Sequence, residues 1–172
     1  MTSTQILKHE HEIILLVIGA AEKEAQQIEN TSTVNVEKIH TIIDFIKNFA
    51  DLCHHAKEEK ILFPKLEEKG MEHESGPIAV MLKEHAEGRA IVKAMAAALP
   101  HISVKDNLLA YTQLLRAHIN KENNVLFPMA DKILTPEDQT FLAEAFERIE
   151  EEETGAGVHE KYHHLAHELV DG

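Results

Sequence analysis

The sequence lacks several features that would assign it to other classes of protein. Its 172 residues include one cysteine, Cys53, so no intramolecular disulfide can form and nothing points to a secreted framework. Seventeen basic residues face 30 acidic ones, a net charge of −13, which argues against nucleic acid and anionic membranes as partners. No apolar run approaches the ~20 residues that cross a bilayer, and the N-terminus lacks a signal-peptide pattern. We therefore expect a cytoplasmic protein.

Glycine and proline are also scarce, with seven and five residues, and they fall between long stretches of helical periodicity. Apolar residues recur at spacings of three and four, and few windows alternate with period two. The pattern predicts an all-α fold, an up-down-up-down four-helix bundle with an extra C-terminal helix and a short helical tail. We expect a single domain, residues 1–172, with the bundle in 4–132 and the extension in 133–172. Pro64 and Pro128 lie late in two helices and are expected to kink or end them.

Histidine, by contrast, is abundant, with 13 residues, and many of these lie in an internal repeat. The segment from His54 to Pro64 matches the segment from His118 to Pro128, with six of eleven positions identical. Upstream of each copy stands a Glu-His pair, Glu10-His11 and Glu84-His85. Each half therefore contains one helix with Glu-His and a second helix with His-x-x-x-Glu before Leu-Phe-Pro.

The spacing aims these residues at the bundle core. A helix turns once in 3.6 residues, so the histidine and glutamate of each His-x-x-x-Glu share a face, and that face is otherwise apolar. Burying six ionisable groups without compensation would be very costly, whereas a pair of metal cations would compensate them. Imidazole and carboxylate suit iron, manganese or zinc better than calcium or magnesium. The predicted metal ligands are His11, His54, Glu58, His85, His118 and Glu122.

Other readings of these residues exist. A single His-x-x-x-Glu is usually a surface pair, and only the duplication on apolar stripes favours a metal site. His55 should point about 100° away from His54 and is interpreted as a neighbour or rim residue. Glu59 lies off the core face and is the alternative to Glu58 as a ligand. Tyr111 is interpreted as a core residue, and the alternative is a hydrogen bond near the metals. The remaining bundle histidines are expected to be solvated, namely His9, His40, His73 and His101.

These motifs resemble the hemerythrin-like family, the HHE cation-binding domain, over about residues 4–132. The resemblance implies a four-helix bundle with a non-haem di-iron centre, bridged by two carboxylates and an oxo or hydroxo group. Carried over to this sequence, the terminal ligands are His11, His54, His85 and His118. The bridging carboxylates are Glu58 and Glu122.

The chain departs from the oxygen carriers of that family, which use a second histidine on the third helix. The positions one turn from His85 are Met81 and Arg89, so we expect no reversible oxygen carriage. The tail offers His159, His163 and His167 on one helical stripe. His159 or His163 could supply a further metal ligand, and the alternative is a solvated tail.

The expected function is a di-iron protein that binds or reacts with a small oxidant, O₂, peroxide or nitric oxide, as a possible oxidoreductase. The electron donor is not identified. A non-catalytic iron or oxygen sensor is the alternative from another class. A hydrolytic site holding two manganese or two zinc ions is a weaker third interpretation.

Overall fold

The computed structural model describes residues 1–172 and contains six helices and no strand, which confirms the predicted all-α bundle. Helix α2 joins Val36–Phe45, Ile46–His55, Glu58–Leu62 and Phe63–Glu68 without a break, and α4 and α5 are likewise composite. None of the helices is both long and apolar enough to cross a membrane. The bounds are α1 (Ser3–Thr31), α2 (36–68), α3 (Gly76–Ala98), α4 (104–133), α5 (136–154) and α6 (Val158–Asp171).

Side-chain caps fix where several helices begin. Thr2 accepts a hydrogen bond from the backbone of Gln5, whose side chain bonds back to the Thr2 backbone, and this capping box starts α1. Thr135 and Asp138 form the same arrangement at the start of α5, with Pro136 at the first helical position. The two-residue connector Leu134-Thr135 therefore separates α4 from α5 at a defined point.

The two late prolines do not end their helices, which was one of the two expected outcomes. Glu58–Leu62 and Glu122–Leu126 are π-helical turns, in which the amide of Phe63 donates to the Glu58 carbonyl and that of Phe127 to the Glu122 carbonyl. A proline in an α-helix clashes with the carbonyl four residues earlier. The wider i→i−5 turn relieves that clash, so the helix continues past Pro64 and Pro128.

The core consists of two apolar clusters on either side of a polar layer. The larger cluster includes Ile14 and Ala50, and the smaller one includes Leu7 and Leu62. Along α1, His11 lies between Leu7 and Ile14, and along α2 His54 lies between Ala50 and Leu62. The histidines and glutamates of the repeat therefore occupy one level of the bundle, enclosed from both ends by hydrocarbon.

The C-terminal helices pack on the bundle rather than extending from it. Helix α5 adds Leu142 and Phe146 to the smaller cluster. Helix α6 adds residues to the larger cluster, and its Tyr162 hydroxyl donates to Asp44 at 3.0 Å. The two helices thus cover one side of the bundle next to α1 and α2.

Two phenylalanines of α5 test this packing. Phe146 is 2% exposed whereas Phe141 is 51% exposed. Phe146→Ala should lower the free energy of unfolding by about 3–5 kcal/mol, because it removes a large side chain from a dense core. Phe141→Ala should change it by less than about 0.5 kcal/mol. Urea titrations of both variants check the prediction, and equal effects would contradict the packing of α5.

Candidate metal centre

The polar layer brings all six bundle residues of the repeat together. Each is at most 2% exposed, and they come from α1, α2, α3 and α4. The rings of Phe127 and Phe63 stack on His11 and His85, at centroid distances of 5.6 and 6.1 Å. The Leu-Phe-Pro element of each half therefore packs an aromatic ring against the Glu-His motif. The residues that meet are His11, His54, Glu58, His85, His118 and Glu122.

The side chains form two neighbouring groups that share a carboxylate. One group contains His11, His54, Glu58 and Glu122, and the other contains His55, His85, His118 and Glu58, with ligand atoms within 4.8 Å in each. Glu58 Oε1 lies 3.7 Å from His54 Nε2 and 3.3 Å from His85 Nε2. Glu122 Oε1 lies 3.5 Å from His11 Nε2 and 2.6 Å from His118 Nε2. Both carboxylates therefore span the two groups, as bridges would.

The atoms at the centre lack hydrogen-bond partners. These buried atoms are the Nε2 atoms of His11, His54 and His55 and all four carboxylate oxygens of Glu58 and Glu122. Buried polar atoms are almost always satisfied, and two buried carboxylates without a partner would be strongly destabilising. The imidazole nitrogens and carboxylate oxygens fit a pair of cations of the iron, manganese or zinc type. The arrangement can therefore bind metal.

The outer nitrogen of every histidine in the two groups faces an acceptor. His54 Nδ1 lies 3.0 Å from Glu10 and His118 Nδ1 lies 3.0 Å from Glu84, which gives the repeated Glu-His motif a structural role. An acceptor at Nδ1 holds the proton there and leaves Nε2 free for a metal. The remaining partners are Asn123 for His11, Glu59 for His85 and Asp51 for His55, at 2.7, 2.6 and 3.5 Å.

Two lysines complete this outer layer. Lys57 pairs with Glu10 and Lys121 pairs with Glu84, so the lysine of each His-x-x-Lys-Glu neutralises the glutamate that orients the histidine. Lys57 is 1% exposed, and burial of an ammonium is tolerated only when it is paired. Four repeated residues therefore act together in each half: Glu10, His54, Lys57 and Glu58 in the first, and Glu84, His118, Lys121 and Glu122 in the second.

His55 belongs to the centre, and the sequence argument missed it. Its ring is 6% exposed and stacks on His85, with centroids 3.9 Å apart. A rotation of about 100° from His54 carries the His55 ring out of the group of His11 and His54 and into the neighbouring group of His85 and His118. Its counterpart in the second half is Ile119, so the sequence offered only the His54-His55 pair as a signal.

The electrostatics of the layer favour neutral imidazoles. Burial lowers the pKa of His11, His54 and His55. Burial and the neighbouring His85 lower the pKa of His118 to about 2. Burial also opposes charge on His85, but the adjacent carboxylates of Glu58 and Glu59 outweigh it and raise its pKa to about 9. Neutral imidazole is the form that binds metal, so metal binding to His85 requires loss of that proton.

The tail histidines do not join either group. His159 lies one layer further out, with Nδ1 3.0 Å from Glu150 and 3.8 Å from both Glu10 and the Cys53 sulfur. Lys57 contacts both carboxylates in this cluster and supplies its positive charge. Burial and the charge of Glu10 raise the pKa of Cys53 to about 12, so it remains a thiol. His163 stacks on His167, 5.1 Å away, because α6 buries the neighbouring stripe that includes Tyr162.

The other residues singled out in the sequence lie outside the two histidine groups. Arg89 donates to Asp51 and Glu59 at 2.8 Å each, and therefore holds the acceptors of His55 and His85 in place. Met81 is buried in the smaller apolar cluster. The four bundle histidines expected to be solvated are exposed, namely His9, His40, His73 and His101.

A cavity of about 350 Å³ opens beside one of the two groups. It reaches His55, His85 and His118, and continues between α2, α3 and α4 past Val92 and Tyr111. His11 and His54 do not line it. The two groups therefore differ in access from outside, and the group with three histidines is the open one.

Comparison with known proteins agrees with this geometry. The family profile described as hemerythrin HHE cation binding domain matches residues 2–130. An uncharacterized protein of Mycobacterium bovis and two of Mycobacterium tuberculosis are each 21% identical over 164 residues, which cover 90% of this chain and 64% of theirs. The chain thus spans slightly less than two thirds of the length of these curated relatives. No solved structure matches the chain significantly.

His55→Ala tests the fifth histidine. The substitution should weaken metal binding at the His85–His118 group by at least ~10-fold, since changes even in outer-layer partners commonly cost that much. The control is Ile119→Ala, which removes the matching buried side chain of the other half and should leave the metal stoichiometry unchanged. Metal titrations followed by elemental analysis check this. Full metal content with unchanged affinity in His55→Ala would remove His55 from the centre.

Glu150→Gln tests the outer cluster through its pH dependence. Burial raises the pKa of Glu150, but the hydrogen bond from His159 and the charge of Lys57 outweigh it and lower the pKa to about 2. The carboxylate's contribution to stability is therefore complete above its ordinary value of 4.5 and is lost as the pH falls toward 2. The hydrogen bond to Glu150 raises the pKa of His159, so the contribution of His159 is complete below its ordinary value of 6.5 and declines above it.

The destabilisation caused by Glu150→Gln should therefore be largest, about 1–2 kcal/mol, between pH 4.5 and 6.5. Urea unfolding at acidic, intermediate and alkaline pH measures it. Glu151→Gln changes the exposed neighbour and should have no such profile. A difference that does not vary with pH would contradict the ion pairs of this cluster.

Proposed function

Since this chain belongs to the hemerythrin HHE cation-binding domain family, we propose that it holds two iron ions and reacts with a small oxidant, O₂, peroxide or nitric oxide. The observation that carries the proposal is the pair of buried carboxylates, Glu58 and Glu122, which span two histidine groups with every oxygen unpartnered. One ion would be held by His11 and His54, and the other by His55, His85 and His118. Iron supplies electron exchange and affinity for small oxidants.

The chain's own residues prepare the site for this chemistry. The Nδ1 acceptors fix five imidazole rings, and the ammonium groups of Lys57 and Lys121 neutralise two of those acceptors. If the imidazoles are neutral, Glu58 and Glu122 leave two negative charges at the centre, which favours cations there. Apolar clusters above and below the layer exclude water from those two sides. The cavity reaches the layer beside His85.

The asymmetry between the groups supports a division of roles. The group of His11 and His54 is enclosed, and an acceptor without charge, Asn123, orients His11. The group of His85 lies at the cavity, and a carboxylate, Glu59, orients His85. A carboxylate acceptor makes an imidazole a more basic ligand. We expect the oxidant to arrive at the His85 group.

A second candidate is a non-catalytic iron or oxygen sensor. One observation favours it: the metal-binding layer connects to the C-terminal helices through a chain of contacts from His54 to Glu10, Lys57 and Glu150. A shift of His54 on metal loss would reach α5 through these contacts. Because metal binding and folding are coupled in such sites, the tail could report the metal state.

The test is metal analysis followed by oxidant consumption. The iron-loaded protein should contain about two irons per chain, and His118→Ala should lower that content, while His101→Ala, which changes an exposed histidine, should not. Hydrogen peroxide and nitric oxide should disappear faster with the iron-loaded protein than with the zinc-loaded protein, because zinc has no redox chemistry.

Two results would contradict the proposal in different ways. Full iron content in His118→Ala with an unchanged spectrum would remove the ligand assignment. Two irons per chain without consumption of either oxidant would reject the proposed reaction and favour the non-catalytic sensor.

A further inference from the structure

The cavity beside His85 is larger than a small oxidant requires. Its volume of about 350 Å³ lies in the range of small-molecule sites, whereas a water molecule occupies only ~30 Å³ of the liquid. The lining residues of α3 extend from His85 to Ala96, which corresponds to ~16 Å at 1.5 Å per residue. The cavity is therefore an elongated channel that runs along the bundle.

The walls of the channel combine apolar side chains with charged and polar ones. Ile46, Val92 and Leu115 are buried side chains that face it. Tyr111 is 3% exposed, lines the same channel, and makes no hydrogen bond to any residue of the chain. A buried tyrosine hydroxyl usually has a partner, so this donor remains available to a molecule in the channel.

The charges at the channel are not balanced within the protein. Asp51 pairs with Arg89, and Glu84 pairs with Lys121. Lys47 and Lys93 are exposed, line the channel at its outer part, and pair with no carboxylate of the chain. In a chain of net charge −13, two channel residues whose ammonium groups pair with no carboxylate favour an anion at the channel.

We propose that this channel binds a chain-like organic monocarboxylate. Its carboxylate lies at Lys47 and Lys93, and its apolar body lies along Val92 and Leu115 with Tyr111 beside it. The inner end then reaches the His55–His85 side of the candidate metal centre. The binding site itself does not depend on the proposed metal chemistry, because all of its contacts are made by the chain.

Calorimetric titration of the full chain as purified, with decanoate as the probe, tests this proposal. Decanoate should bind saturably, with about one molecule per chain. Decanol, which lacks the charge, and acetate, which lacks the apolar body, should each bind at least ~10-fold more weakly. Lys47→Met/Lys93→Met should weaken decanoate binding about fivefold, a typical effect of two surface charges.

Matched controls separate the channel from the rest of the surface. Lys23→Met/Lys132→Met removes the same charge from exposed lysines outside the channel and should leave the affinity unchanged. Ala96→Phe fills the channel from a half-buried position and should reduce decanoate binding at least ~10-fold, with circular dichroism confirming the helical fold.

Three results would overturn the proposal: no saturable binding, equal affinity for decanol, or unchanged binding in Ala96→Phe. Measuring the metal content of the same samples keeps this outcome separate from that of the proposed metal centre. Decanoate binding without iron would reject only the metal proposal, and two irons without decanoate binding would reject only the channel.

Discussion

The structure depends on how five imidazoles are held in a dry layer of the bundle. Each histidine meets an acceptor at Nδ1, so its Nε2 points at two carboxylates that have no partner of their own. This arrangement concentrates unsatisfied polar atoms where a globular protein normally avoids them. The apolar clusters on both sides and the two buried lysine–glutamate pairs keep the layer rigid. The fold therefore prepares the geometry of the metal site before any cation enters.

The internal repeat produces most of the contacts in this layer. The remaining contacts come from positions at which the two halves of the repeat differ. Glu10 and Glu84, and likewise Lys57 and Lys121, make equivalent contacts in the two halves. Where one half has Ile119, the other has His55, and the histidine group that contains His55 is the one that opens to the channel. A symmetric scaffold thus produces two histidine groups of unequal access.

Much of the fold and the inner ligand set followed from the sequence because helical period and residue spacing are local. The all-α class and the convergence of His54 with Glu58 needed only the 3.6-residue turn. His55 was interpreted only as a neighbour or rim residue because its contact with His85 joins two different helices, and helix periodicity does not determine such a contact. The distance of His163 from the centre depends on how α6 packs against α1 and α2, a tertiary property that helix periodicity does not determine.

The π turns that accommodate Pro64 and Pro128 make the ligand-bearing helices intolerant of changes in length. Each turn sets the angular position of the phenylalanine that stacks on a histidine of the opposite helix pair. Deleting one residue from such a turn would restore the α-helical hydrogen bonds, and the ring of Pro64 or Pro128 would then clash with the carbonyl four residues earlier. Insertions and deletions compatible with the site are therefore confined to the connectors, residues 32–35, 69–75 and 99–103, where a change in length leaves the facing of every ligand intact.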